Sequence, residues 1–435
     1  MRNTKWLALC LSFLFGLGSW SYLYGVFLPF QKAHQPNGST WENRSDIYPR
    51  WIGARELILH GRNPYSVEVT REIQIGYYGR AVDLRRAPFP SDEQRFIYPL
   101  FVVFLLAPTV TLPFSAVQLG FGITLFLLML ASVPLWLRAL GLRFSVSATL
   151  MAVLFTLGSW PVAQGVQARQ LSLLAAFLLA ASGASIASGK LRLAGVLLAL
   201  TLIKPQLAVP LVLWFLLWGA SCWHTRKSLL LSFGATFFIL LAGAEKALPH
   251  WFLYWRESLP AYLAYTGSQP GIERLLGHFV GRIASFAVIL LVAAIAWRYR
   301  RDSPSSPGFP LALCLVLAAT LVIMPTWSLA SYNEVLLLPA LLWLAGAFEN
   351  LTSASPHPIQ KQIFVLTVLV LLWEPVGDLT LALRVLIAGV PVSTESVLRI
   401  PQYLYFIVPT VILSALLGIR FTSSAGQTAL PQTEQ

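Results

Sequence analysis

"LAGVLLALTLIKPQLAVPLVLWFLLW", Leu193 to Trp218, decides how the rest of the chain is read. It is an apolar run broken by one cation, Lys204, about twelve residues in, with Pro205 directly behind it. A helix of about 17–25 apolar residues crosses a bilayer, so the run is long enough. A lysine at that depth is costly and marks a functional site by default. Pro205 removes a backbone donor, so a helix broken there frees carbonyls and lets the lysine face a cavity. Snorkelling to the interface is the bland alternative. It is the weaker one, because about fourteen more residues of apolar run follow. A compact ammonium suits a phosphate or pyrophosphate.

Runs of the same kind extend over most of the chain. Of 435 residues 56% are hydrophobic and only 11% charged, against about 25% charged in a soluble domain. The net charge of +13 concentrates at the ends of apolar runs, as in Arg298–Arg301 and His224–Lys227. That distribution records membrane orientation rather than a nucleic-acid surface, and no nucleic-acid partner is expected. Cys10, Cys222 and Cys314 lie in or beside separate apolar runs without metal-ligand spacing, and read as small buried apolar side chains.

The expected fold is an all-α polytopic membrane protein of about twelve spans. The first run, Trp6 to Phe30, is too long for a signal-peptide core and is read as a retained helix. The other spans are placed at about 97–113, 115–137, 145–163, 170–188, 193–218, 228–247, 281–297, 309–326, 332–348, 361–379 and 402–419. One integral membrane domain, 1–421, is followed by a polar tail, 422–435, expected to be disordered. With Arg2, Lys5, Arg226, Lys227, Arg298–Arg301, Lys361 and Arg420 inside, loops 31–96 and 248–280 fall outside. In this count Arg138, Arg143, Lys190 and Arg192 also fall outside, against the rule, which leaves one span among 97–218 open to reassignment.

The long first loop is structured. From Pro49 to His60, "PRWIGARELILH", Trp51, Ile52, Leu57, Ile58 and Leu59 cluster on one side and Arg50, Arg55 and Glu56 on the other. This predicts an amphipathic helix at the membrane interface, capped by Ser45 or Asp46 and stopped at Gly61. Asp46 is then either a cap or a chemical group at the mouth of that helix. Asp83, Asp92 and Glu93 are the other carboxylates of the loop, the last two in a mixed-charge run beside Arg95. Gln164, Gln167, Arg169 and Gln170 sit between two apolar runs; Asn333 and Glu334 stand at a span end. The second loop crowds Trp and Tyr around His250, as a membrane interface or a carbohydrate site does. No phosphate loop, nucleophile elbow or Cys/His metal cluster is present, so the sequence names no metal ligands and no certain cofactor.

Several short elements occur in a telling order: the loop aspartate, "GRNPY" (Gly61–Tyr65), "YP" (Tyr98-Pro99), Gln170-x-x-Leu173 and "AGVLLALTLIKPQ" (Ala194–Gln206). In this the chain, over residues of about 40–350, resembles glycosyltransferase family 87, polyprenyl-phosphate-mannose-dependent mannosyltransferases of the GT-C fold. The resemblance implies an inverting transfer from a polyprenyl-phosphate sugar, at an outward-facing site in the plasma (inner) membrane. Carried over, Asp46 is the general base, and the acceptor is a lipid or glycan. Lys204 and Arg169 are expected at the donor phosphate, and Tyr65, Gln170, Gln206, His250 and Asn333 at the substrates. The alternatives are another lipid-linked sugar, such as arabinose, or a polytopic lipid or solute transporter with Lys204 in its pathway.

Overall fold

A computed structural model of the chain describes residues 2–33, 43–82, 93–266, 269–324, 330–353, 358–387 and 407–419. Asp83, Asp92 and the tail 422–435 lie outside the described residues. Among those described the fold is helical, with no β-strand. α1 (Arg2–Tyr22) continues through a π-turn into α2 (Leu28–Ala33). Then come α3 (Ile47–His60), α4 (Val67–Tyr78), α5 (Val102–Leu106), α6 (Phe114–Ala139), α7 (Val146–Gly158), α8 (Trp160–Ala168) and α9 (Leu171–Ala187). α10 (Leu191–Leu200), α11 (Pro205–Ser221), α12 (Trp223–Ala247), α13 (Trp251–Thr266), α14 (Gly271–Leu276) and α15 (His278–Arg298) follow. The last four are α16 (Gly308–Ile323), α17 (Leu338–Ser353), α18 (Pro358–Leu386) and α19 (Ile407–Ile419).

Among the described residues five helices are long and apolar enough to cross a membrane: Ser12–Ala33, α6, α12, α15 and Val365–Leu386. The pair α7 and α8, bent by 53°, makes a sixth if counted as one span, and six shorter apolar helices accompany them. The chain is a polytopic membrane protein. Phe238 of α12 and Phe286 of α15 are exposed as lipid-facing side chains are. Cys314 is buried as expected, but Cys10 is exposed.

Two expected spans take another form. Residues 97–113 hold only α5, five residues long, and a 3-10 turn at Ala107–Thr109, far too short to cross. Pro99, Pro108 and Pro113 punctuate the stretch. Residues 193–218, expected as one broken span, fold back on themselves at Lys204. Gly195 of α10 and Gly219 of α11 both abut Leu229 of α12, which a continuous helix would set about 36 Å apart. At Gly195 the approach is so close that a Cβ would meet the α12 backbone.

The topology that results satisfies the charge rule. A Cβ on Gly183, late in α9, would lie 3.1 Å from that of Ala139 at the end of α6. Arg226 stacks 3.7 Å over Trp218 and donates to the carbonyls of Trp218, Arg300, Arg301 and Asp302 at 2.9–3.1 Å. Arg138, Lys190, Arg226 and Arg298–Arg301 therefore gather at one end of the bundle. At the other end the two long loops meet, the indole N–H of Trp255 donating to the Ile97 carbonyl at 2.8 Å.

The first loop carries two helices where one was expected. α3 stops at Gly61, which takes a φ of 66° that glycine tolerates best. Arg62 then pairs with Glu56 (2.9 Å) and with Glu72 of α4 (2.7 Å). The Tyr65 N–H donates to Asn63 Oδ1 at 2.9 Å, closing the turn, and Ser66 caps α4 by accepting from the Val69 N–H at 3.2 Å. α3 itself departs from the amphipathic reading. Arg50 and Glu56 are buried, and Ile58 and Leu59 are exposed. The supposed polar face is satisfied internally: Arg50 lies 4.6 Å over the Tyr98 ring, and Glu56 meets His60 (3.0 Å) as well as Arg62.

Candidate active site

The non-basic end of the bundle collects polar groups from four separate segments. Asp46 precedes α3, yet its side chain does not cap that helix. Its carboxylate instead accepts from the amide nitrogen of Gln170 at the turn between α8 and α9. Its backbone N–H donates to the Ala168 carbonyl of the same turn at 2.8 Å. Arg50, one helical turn on, donates to the Asp46 carbonyl oxygen. Burial pushes the Asp46 carboxyl above the ordinary carboxylate range, while the cations of Arg50 and Lys204 pull it down.

Gln170 faces two ways. Its Nε2 serves Asp46 and its Oε1 accepts from Lys204 Nζ at 3.1 Å. Only one orientation of the amide satisfies both a carboxylate and an ammonium, so Gln170 is fixed by its neighbours. Lys204 stands at the tip of the α10–α11 hairpin, 4% exposed. It also donates to Ser172 Oγ and lies 5.0 Å from the Tyr332 ring centre. The Ser172 hydroxyl donates in turn to Asn333 Oδ1 at 2.8 Å. Gln164 accepts from the Tyr332 N–H at 3.2 Å and so seats the 3-10 turn Ser331–Leu337 against α8. Gln170, Ser172 and Tyr332 thus hold the lysine from inside the protein.

Lys204, Gln206 and Asn333 line a cavity of about 310 Å³ with Tyr98, Trp255, Tyr262 and Tyr332. That is the lower end of the usual range for small-molecule sites. Aromatic rings beside a cation and amides suit a sugar linked to an anion.

The family model for glycosyltransferase family 87 matches residues 96–325, more than half of the chain. The chain belongs to glycosyltransferase family 87. No curated protein and no solved structure matches it.

This family 87 chain brings together Asp46, Gln170, Lys204, Gln206 and Asn333 among the residues expected from sequence. It does not bring Arg169 to them. That residue ends α8 at a φ of 53° and turns its guanidinium to the Gln118 carbonyl (3.1 Å) on α6 and to the Gln167 carbonyl. Tyr65 stands behind the cavity wall, donating to the Tyr98 carbonyl at 2.6 Å. His250 is exposed, at a φ of 61°, with its backbone N–H on Glu245 at 2.8 Å. Glu93 pairs with Arg95, as its mixed-charge setting implied. Ser172, Tyr332 and the stacking of Arg50 on Tyr98 were not singled out from sequence. The polar triplet Tyr332-Asn333-Glu334 inside an apolar region was the available signal for the second.

Proposed function

We propose that this glycosyltransferase is an inverting hexosyltransferase, first of all a mannosyltransferase, drawing on a polyprenyl-phosphate sugar. The acceptor is a hydroxyl of a glycan or glycolipid. Asp46 acts as general base, taking the acceptor proton as the hydroxyl oxygen bonds to the anomeric carbon. The bond from that carbon to the phosphate oxygen breaks, and its electron pair leaves with the lipid phosphate, whose charge Lys204 offsets. A single displacement of this kind inverts the anomeric centre. Tyr98, Trp255 and Tyr262 supply surfaces for the sugar, with Gln206 and Asn333 for its hydroxyls.

The observation that carries the reading is the bridge from Asp46 through Gln170 to the cavity-lining Lys204. A carboxylate and an ammonium bridged beside one cavity support a base and a leaving-group partner acting on the same bond. The gathering of basic residues at the opposite end supports a cytoplasmic face there and an outward-facing site in the plasma membrane. In this topology α1, α6, the α7–α8 pair, α9, both arms of the hairpin and the later apolar helices account for about twelve crossings.

The test is transfer by the purified protein from radiolabelled polyprenyl-phosphate mannose and, in parallel, polyprenyl-phosphate arabinose. Mannose transfer with inverted anomeric configuration is expected. Transfer of arabinose alone would replace the sugar in the proposal, and retained configuration would remove the single displacement.

A further inference from the structure

A second cavity, of about 70 Å³, lies across the Ser331–Leu337 turn from the first. Tyr332 and Asn333 line the Lys204 cavity, whereas Glu334 and Val335 line this one. Met129 of α6, Phe155 of α7, Val162 of α8 and Leu371 of α18 wall it. Met129 and Leu371 both lie inside helices long and apolar enough to cross a membrane, Met129 near the middle of α6, so the cavity is walled by candidate spans. The 53° bend between α7 and α8 lies in its wall at Ser159.

Glu334 is 5% exposed, and among the described residues neither of its carboxyl oxygens has a hydrogen-bond partner. A polar group left so costs free energy, the more so in hydrocarbon. The other two polar side chains of the cavity do not help it. Thr156 donates its hydroxyl proton to the Ala152 carbonyl (2.7 Å), and Ser159 donates to the Thr156 carbonyl (2.8 Å). Both therefore offer the cavity only lone pairs. Among the described residues no lysine, arginine or histidine lines it.

The missing partner must bring a hydrogen-bond donor on an apolar body. A phosphate or carboxylate supplies no fixed donor and would meet like charge. An ammonium serves the carboxylate form of Glu334 but cannot accept from the acid form. A hydroxyl does both: its oxygen accepts from the acid form, and its proton donates to the carboxylate form or to the lone pairs of Thr156 or Ser159. We infer that this cavity is a binding site for the hydroxyl end of an aliphatic alcohol drawn from the lipid phase, hydrogen-bonded to Glu334. The inference does not depend on the roles given to Asp46 and Lys204.

Photolabelling of the full chain in detergent with a diazirine-bearing dodecanol tests it, read by mass spectrometry on the peptide carrying Phe155–Val162. Reading there keeps loss of the carboxyl as a labelling target out of the result. Saturable labelling displaced by free dodecanol is expected, with the matching dodecane and dodecylammonium probes labelling about tenfold less. Glu334→Gln, which still donates and accepts, should retain labelling; Glu334→Leu should lose it by about tenfold. Competition by a diacylglycerol or by a polyprenol then tells which lipid source supplies the hydroxyl. Equal labelling by the dodecane probe, preference for the ammonium probe, or full labelling of Glu334→Leu would each overturn the inference.

Discussion

Asp46 and Gln170 are hydrogen-bonded through their side chains although 124 residues separate them. The backbone bond from Asp46 to Ala168 lies beside it. Two hydrogen bonds therefore tie the start of α3 to the α8–α9 turn, and the carboxylate is held by an element far away in sequence. In the proposed mechanism Gln170 is then a positioning residue for the base rather than a group that touches the reacting atoms.

Gln170→Met removes the amide while keeping the length of the side chain. The Asp46 carboxylate loses a donor and Lys204 an acceptor, each a charge-assisted bond. Turnover should fall roughly ten- to a hundredfold, and the acid limb of the pH–rate profile should move with it. A loss of turnover with an unmoved limb would reduce Gln170 to a packing role.

Asp46→Asn should lower turnover by about 10²–10⁴-fold. In the unsubstituted protein the acid limb of kcat/KM should lie above the ordinary aspartate value of about 3.9, because burial outweighs the two cations. The same shift has a sign for stability. A carboxyl whose folded value is raised binds more protons when folded, so stability declines as pH rises from the unfolded value through the folded one. Asp46→Asn should therefore melt no lower than the parent at neutral pH, and its stability should lack that decline. A variant that melts much lower would point to a structural carboxylate.

Lys204→Met keeps the stem and removes the cation. Insertion should be unharmed, since the buried charge is a cost, while binding of a donor-phosphate analogue and turnover both fall. Lys204→Arg should recover part of the activity, its planar head fitting Gln170 and Ser172 differently. Unchanged analogue affinity in Lys204→Met would free the lysine from the phosphate.

Orientation is open to a labelling experiment on intact cells in a background without the native cysteines. Val67→Cys should react with an impermeant maleimide, and Arg143→Cys and Ser305→Cys should not. All three positions are exposed. Labelling at Arg143→Cys would restore a crossing at 97–113 and separate its loop from the other basic ends.

The legible parts of this molecule were those with local causes. A lysine and a proline inside an apolar run announced a break at Lys204, and "GRNPY" announced the corner that Gly61, Arg62, Asn63 and Tyr65 build. The direction of the chain after Lys204 was not legible, because a kinked helix and a hairpin share one composition; Gly195 and Gly219 against α12 decide it. The charge rule did register the error, through Arg138 and Lys190 on the wrong side. α3 misled because its charges are paid across the fold, by Tyr98 and Arg62, and long-range pairing leaves no periodic trace. Arg169 misled for a similar reason: nothing beside it in sequence reveals the Gln118 carbonyl.

The first arm of the hairpin, α10 with the 3-10 turn Thr201–Ile203, is thirteen residues long. It rises about 21 Å, against about 30 Å for a hydrocarbon core. An arm of that reach is better matched to a thinned bilayer than to a thick one. Bilayer thickness then becomes a control on rate. Turnover in vesicles of short-chain lipids should exceed that in long-chain ones, and a rate indifferent to chain length would mean that the lysine is served from the surface after all.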